Sequence, residues 1–383
     1  MLLYEHEGKK LFKSCGILVP KNQLLESESQ RVTLKPPLFL KAQTLSGKRA
    51  ESGGIVIVDR RQAVGNSVKE LFEKTINGEK VEKILVEEMV EVDREYYLSF
   101  SYSTETRGSV LTFGKGGSRV GSHFAEASRN IDVYPIDVLE GFSGEHLPDE
   151  LKDTAKKLWE AFTKYDCELV EINPLVTDKN GKFWALDSKV ILDDDATFRR
   201  EEKFPERNLF GRPPTNAEIE ARKIDEGDHR GTAGSVYWDL DGDIAVIAAG
   251  GGGSIVNMDA LLAFGGKPAN YTEHSGNPPR EKLYKLTKIV LAKPGLKGCW
   301  FVGGTANFTD IYETLMGFVD GLRELKPKPK YPIVIRRGGP RDKEAFEALK
   351  QIGKEEGYDF HIFGRETPMT STAKVIVDLA YGK

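Results

Sequence analysis

The 383-residue chain is poor in cysteine: Cys15, Cys167 and Cys299 lie far apart without CxxC spacing. That pattern excludes a disulfide framework and a zinc site of the usual ligand spacing, and the three are expected to be buried thiols. No apolar run approaches the roughly 18 residues a membrane-spanning helix requires. The opening stretch MLLYEHEGKKLF carries charges where a secretion signal needs an unbroken apolar segment, so a cytoplasmic location is expected. Charge of one sign is also scarce. A formal net charge of −4 without a long basic block argues against nucleic acid as the main partner. Two nucleotide-binding signatures are missing as well. GxGxxG would need its last glycine at position 255, where Ile255 stands, and GxxxxGK[ST] occurs nowhere.

With 39% hydrophobic and 30% charged residues, the chain has an ordinary soluble composition and is long enough for two or three domains. Its two halves follow different patterns. Up to about residue 200, helical and strand signals alternate irregularly. YEHEGKKLFKSC reads as a helix closed by Gly16, PLFLKA as a strand, DRRQAVGNSVKELFEKTI as a helix, and EKILVEEMVEVDREYYLSFSYS as two strands around an acidic turn. This predicts an α+β domain. Residues 201–232 are polar, contain three prolines and hold one short helix, which marks a boundary. From about residue 240 the runs DIAVIAA, PANYT, GCWFVGG, PIVIRR and DFHIFG are each followed by a helical pattern, predicting a parallel sheet flanked by helices.

In such a sheet the loops leaving the strand ends gather on one edge, beside helix N-termini that favour anions. The loops are IAAGGGGSIV, EHSG, GGTANFTD, RRGGPR and GRETPMT, and they supply Asn307, Thr309, Arg336 and Arg337. That donor set fits carboxylates. The plain alternative, that the glycines only allow tight strand-to-helix turns, is weakened by three such turns falling on one predicted edge.

In the first half, CELVEINPLVTDKNGKFWALDSKVIL reads as a hairpin with Gly181 in the left-handed position and a pairing sum of 360. Asn173 then faces Asp187 and Glu171 faces Lys189, while Val170, Ile172, Val176, Trp184, Leu186 and Val190 point to the other face. Hard oxygens side by side suit Mg²⁺. A solvated outer face with a Glu–Lys pair would show the same pattern.

With VEINPLV, LDSK, GGTANFTD, IRRGGP and HIFGRET in view, the chain resembles the succinyl-CoA synthetase β-subunit superfamily nearly end to end, and within it the ATP-citrate lyase and citryl-CoA synthetase branch. The resemblance implies an ATP-grasp nucleotide-binding domain over 1–225 and a flavodoxin-like, citrate-binding CoA-ligase domain over 235–383. By position, Lys41, Lys48, Arg49, Ala50, Glu87, Val90 and Glu95 would meet the nucleotide. Lys41 would hold phosphates, and Glu87 and Glu95 the adenosine. Lys48-Arg49-Ala50 stands where many relatives have Gly-Arg-Gly. Asn173 and Asp187 would hold Mg²⁺, and Glu171 would assist phosphate transfer. Gly276, Asn307, Thr309 and Arg337 match the citrate-binding positions.

The family's phosphorylated histidine belongs to an α-type portion, and none of His6, His123, His146, His229, His274 or His361 sits in a comparable motif. The resemblance therefore implies a hetero-oligomer with an α-type subunit that carries the phosphohistidine and the CoA site. In a lyase, that partner also carries a citrate-synthase-like domain. The implied reaction uses ATP and CoA to activate citrate through citryl phosphate to citryl-CoA. Alternatives are a succinate– or malate–CoA ligase subunit, and a non-catalytic subunit that binds nucleotide or citrate and regulates a partner.

Overall fold

The computed structural model describes residues 1–47, 49–115, 131–137, 139–207 and 212–382. Lys48 and His123 lie outside them. The chain divides into two compact units, Met1–Arg212 and Pro213–Lys383.

The first unit opens with helix Glu5–Ser14, which ends ahead of Gly16 at φ +78°. One antiparallel sheet runs in the order Asn22–Leu25, Ile84–Glu88, Leu38–Ala42, Ile55–Val58 and is backed by helix Val64–Phe72. Its core is aliphatic, with Leu38, Leu40, Val68, Leu71 and Val86 buried together. A second antiparallel sheet orders Phe183–Ala185, Cys167–Thr177, Arg94–Ser103, Gly108–Lys115 and Ile131–Pro135, with Lys189–Leu192 also pairing to Cys167–Thr177. Helix Asp149–Lys164 covers it through Leu151, Leu158 and Phe162.

The hairpin has the expected register. Val176 pairs with Trp184 and Glu171 with Lys189, and Gly181 takes φ +76°. Two details differ. Leu186 and Trp184 are only half-buried, the indole N–H of Trp184 donating to Asp178. Leu175 and Ala185, on the opposite parity, are fully buried. Cys15 is half-buried, unlike Cys167 and Cys299.

The second unit holds one six-stranded sheet. Its five parallel strands, counted along the chain as Ile244–Ala249, Asn270–Ser275, Gly298–Thr305, Ile333–Gly338 and Phe360–Phe363, lie in the order 2-1-3-4-5, which is the flavodoxin-like order. The three central strands, Ile244–Ala249, Gly298–Thr305 and Ile333–Gly338, are buried on both faces through their centres, as a sheet covered by helices on both sides requires. A sixth strand, Thr232–Asp239, pairs antiparallel at the edge and falls where the sequence pattern read partly as linker. Helix Asn216–Arg222 belongs with it, because Ala221 and Ile224 pack into this unit's core beside Tyr237. No helix among the described residues is long and apolar enough to cross a membrane.

Candidate functional site

In the first unit, helix Glu5–Ser14 lies against the hairpin strand because position 8 has no side chain. A Cβ on Gly8 would sit 2.6 Å from Ser188 Oγ, and that hydroxyl donates to the Glu5 carbonyl at 2.9 Å. The contact carries Glu5 and Lys9, one helical turn apart, into the same buried space as Lys41, Arg49 and Glu87. Lys41 Nζ reaches Glu5 Oε1 at 2.9 Å, Glu87 Oε2 at 2.7 Å and the Leu186 carbonyl at 2.6 Å. Lys9 Nζ reaches Glu5 and Glu87 at 2.6 Å each. Arg49 bridges Glu5 to Asp187, with its Nη2 2.9 Å from Asp187 Oδ1. Three cations thus meet three carboxylates.

Electrostatics in this cluster follow the pairing. Burial alone would raise the Glu5 pKa, but Arg49, Lys41 and Lys9 outweigh it and hold the carboxyl well below the ordinary range. For Lys41, burial opposes the charge, yet Glu5, Glu87 and Asp187 prevail and raise its pKa. Lys9 goes the other way, lowered because burial dominates. Glu87 is 1% exposed, with both carboxylate oxygens on lysine ammoniums. It anchors Lys9 and Lys41 of the cluster.

Glu171 is held by the Tyr97 hydroxyl, which donates to its Oε2 at 2.9 Å. Burial raises the Glu171 pKa against the lowering pull of Tyr97, Lys189 and Asn173. The neighbouring Asn173 Oδ1 is buried and accepts no hydrogen bond among the described residues. Among the described residues, no group of three or more His, Cys, Asp or Glu side chains forms a metal cage. A buried amide oxygen without a donor beside the 39%-exposed Asp187 carboxylate is nevertheless the donor chemistry that Mg²⁺ accepts, since this ion usually takes one or two protein oxygens and completes its shell with water and phosphate. Ala50 is exposed in a turn closed by Gly54 N–H to Arg49 O at 2.7 Å. Val90 lines a cleft of about 630 Å³ with Pro20, Met89 and Trp184. Glu95 is half-buried opposite Val176.

In the second unit the carboxyl ends of the first and third parallel strands, Ala249 and Gly303, mark the topological switch point where ligands bind in open α/β sheets. Arg337 is 3% exposed there, and its guanidinium lies across Gly303. A Cβ at 303 would be 2.2 Å from its Nη1. Its one hydrogen bond runs to the Gly304 carbonyl at 3.3 Å, its Nε has no acceptor, and no carboxylate pairs with it among the described residues. Burial first and Arg336 second pull its pKa down to about 10. Arg336, on the opposite face, is fully occupied by the carbonyls of Gly303, Arg365 and Thr367, so of the two adjacent arginines it is structural. Gly276 takes φ +69° just after strand Asn270–Ser275, whereas Asn307, exposed, and Thr309, buried, lie on the loop after strand Gly298–Thr305. Of the four glycines, Gly250 takes the left-handed turn at φ +86°, and Gly251–Gly253 form the first turn of helix Gly251–Ala263.

These units are an ATP-grasp domain followed by a parallel-sheet domain. A family model described as ATP-grasp domain matches residues 2–177, and one described as ATP citrate lyase citrate-binding matches residues 215–380. The chain is 33% identical to the β subunit of ADP-forming succinate–CoA ligase from Desulfurococcus amylolyticus, across 92% of this chain and 94% of that one. It is 30% identical to the corresponding Methanocaldococcus jannaschii subunit, across 99% and 100%. The solved structure of ATP citrate lyase from Methanothrix soehngenii, in complex with citrate and coenzyme A, superposes with a TM-score of 0.74 at 25% identity, covering 100% of this chain and 99% of that one. The chain belongs to the family of ADP-forming succinate–CoA ligase β subunits, a family of ATP-dependent CoA ligases.

Proposed function

We infer that this chain is the β-type subunit of an ATP-citrate lyase or citryl-CoA synthetase, binding nucleotide in its first unit and citrate in its second. The observation that carries the reading is Arg337: a buried guanidinium without a counter-anion is strongly unfavourable unless a ligand supplies one, and it sits at the switch point. Gly276, Asn307 and Thr309 stand on neighbouring strand ends and loops, where donors for further carboxylates are needed. The match to a citrate-binding family model over this unit supports the same substrate class.

In the first unit, Lys41 and Arg49 would hold phosphates once these displace their carboxylate partners, with Ala50 contributing only its backbone. Val90 and Glu95 would meet the nucleoside. Asn173 and Asp187 would hold Mg²⁺, which when bound supplies charge neutralisation to the phosphates. Glu171, hydrogen-bonded to Tyr97, would assist phosphoryl transfer. ATP would phosphorylate a histidine on an α-type partner, the phosphoryl group would pass to a citrate carboxylate, and the CoA thiol would displace phosphate to give citryl-CoA.

The test has two parts. Calorimetry of the chain with citrate and succinate should show preference for citrate, and Arg337→Ala should weaken citrate by roughly 10- to 150-fold while leaving ATP affinity unchanged. The isolated chain should make no acyl-CoA from ATP, CoA and citrate until the partner subunit is added. Equal binding of the two acids returns the chain to a generic acid–CoA ligase, and turnover by the chain alone contradicts the divided active site.

A further inference from the structure

His274 is fully buried on the strand next to Ala249; among the described residues no side chain hydrogen-bonds either ring nitrogen, and the Ala248 backbone is the polar group that the ring meets. Buried polar atoms are almost always paired, so a ring that no side chain pairs asks what completes it. The register gives a direct answer about its neighbours. His274 pairs with Ala249, Ala249 pairs with Gly303, and the Arg337 guanidinium lies over Gly303. The row across the sheet therefore reads imidazole, methyl, hydrogen, guanidinium. The two middle positions are the smallest side chains available, and at its two ends stand buried polar groups that no other side chain pairs among the described residues.

Arg337 is the charged group that acts on His274. Phe301 packs against the ring at 5.4 Å between centroids, and Glu273 points to the other face, beneath Gly251. Burial and then Arg337 push the imidazole pKa down to about 3, against a smaller opposing pull from the Ala248 backbone. The ring is neutral at physiological pH. A neutral imidazole carries one N–H donor and one acceptor nitrogen. A carboxylate can use only the donor, whereas a hydroxyl can use the acceptor as well.

We propose that His274 is a specificity-determining residue of the acid site, reading the hydroxyl of a hydroxypolycarboxylate while Arg337 holds a carboxylate. The inference rests on the acid-site reading above and adds the residue that tells a hydroxy acid from its deoxy analogue. Sites built to hydrogen-bond a hydroxyl reject the analogue lacking it, because their own polar groups are then left unpaired.

The experiment is calorimetric titration of the full chain with citrate and with propane-1,2,3-tricarboxylate, which is citrate without its hydroxyl. Wild type should prefer citrate by about 10-fold or more. His274→Phe should erase that preference by weakening citrate while leaving the deoxy acid within about 3-fold, and His274→Gln, which keeps a donor and an acceptor, should retain part of it. His274→Met serves as the apolar variant should the phenyl ring fail to pack. Arg337→Ala should weaken both acids alike. An unchanged preference in the apolar variants overturns the role of His274 while leaving the acid site standing; wild type that binds neither acid removes the acid site itself and the inference with it.

Discussion

Arg49 Nη2 lies 2.9 Å from Asp187 Oδ1, so an arginine at the expected phosphate cover and a carboxylate at the expected magnesium position neutralise one another. Each occupies a place that the other's ligand would take. Binding of Mg²⁺ to Asp187 and of phosphate to Arg49 should therefore favour each other, because each removes the other's competitor.

Asp187→Asn tests this pairing. With Mg²⁺ present, ATP affinity should fall by about 10-fold or more, since a neutral amide is a poorer hard-cation ligand. Without Mg²⁺, ATP should bind as well as or better than to wild type, because Arg49 is released. The pair is more than a third exposed on the Asp187 side, so the melting temperature should change little. Titrations with and without the metal separate the two effects; a fall in both conditions would show that Asp187 does not compete for Arg49.

Glu5→Gln should be far more costly, at about 3–5 kcal/mol in urea unfolding, because Lys9, Lys41 and Arg49 would share only Glu87 and Asp187. The folded-state pKa of Glu5 is depressed, so its contribution is present above the unfolded value, about 4.3, and is lost as pH falls through the lower folded value. The stability gap between wild type and Glu5→Gln should accordingly narrow below about pH 4. A gap that is constant with pH would mean that shape, not charge, explains the cost.

Gly303→Ala should displace Arg337, since the added Cβ meets its Nη1 at 2.2 Å and the Ala249 Cβ at 2.6 Å. Overpacking of this kind costs about 1–3 kcal/mol. Citrate affinity should drop as far as in Arg337→Ala, with MgATP binding intact. Arg337→Met should do the reverse for stability, leaving the melting temperature unchanged or raised by removing an unpaired buried charge while abolishing acid binding. A stability loss typical of a core truncation in Arg337→Met would sink the reading of Arg337 as a ligand-dependent group.

Local pattern carried most of the architecture. The helical spacing of the N-terminal stretch, the 2-residue alternation around Lys179-Asn180-Gly181 and the repeated strand-then-helix runs after residue 240 depend on neighbours in the chain, so helix, hairpin register and parallel sheet are all legible in order along it. The edge strand Thr232–Asp239 escaped because its burial is irregular: it has a neighbour on one side only, and no clean alternation marks it. Donor types at the strand ends, including Arg336 and Arg337, were likewise visible as residue types.

Which of those donors matter depended on residues distant in sequence. Arg336 and Arg337 are adjacent and chemically identical, yet the strand's alternation sends one to backbone carbonyls and leaves the other buried beside Gly303. The sequence assigns Glu5 and Lys9 no role; close packing at Gly8 brings the N-terminal helix onto a hairpin more than 170 residues away and closes the ion cluster that they form with Lys41, Arg49 and Glu87. His274, by sequence a lone histidine without a motif, gains its place only from the row it shares with Ala249, Gly303 and Arg337. Sequence periodicity determined which face each side chain occupies within its own element. Pairing between elements, through register and the absence of a Cβ at Gly8 and Gly303, decided which charges meet and, among the described residues, which buried charge no carboxylate pairs.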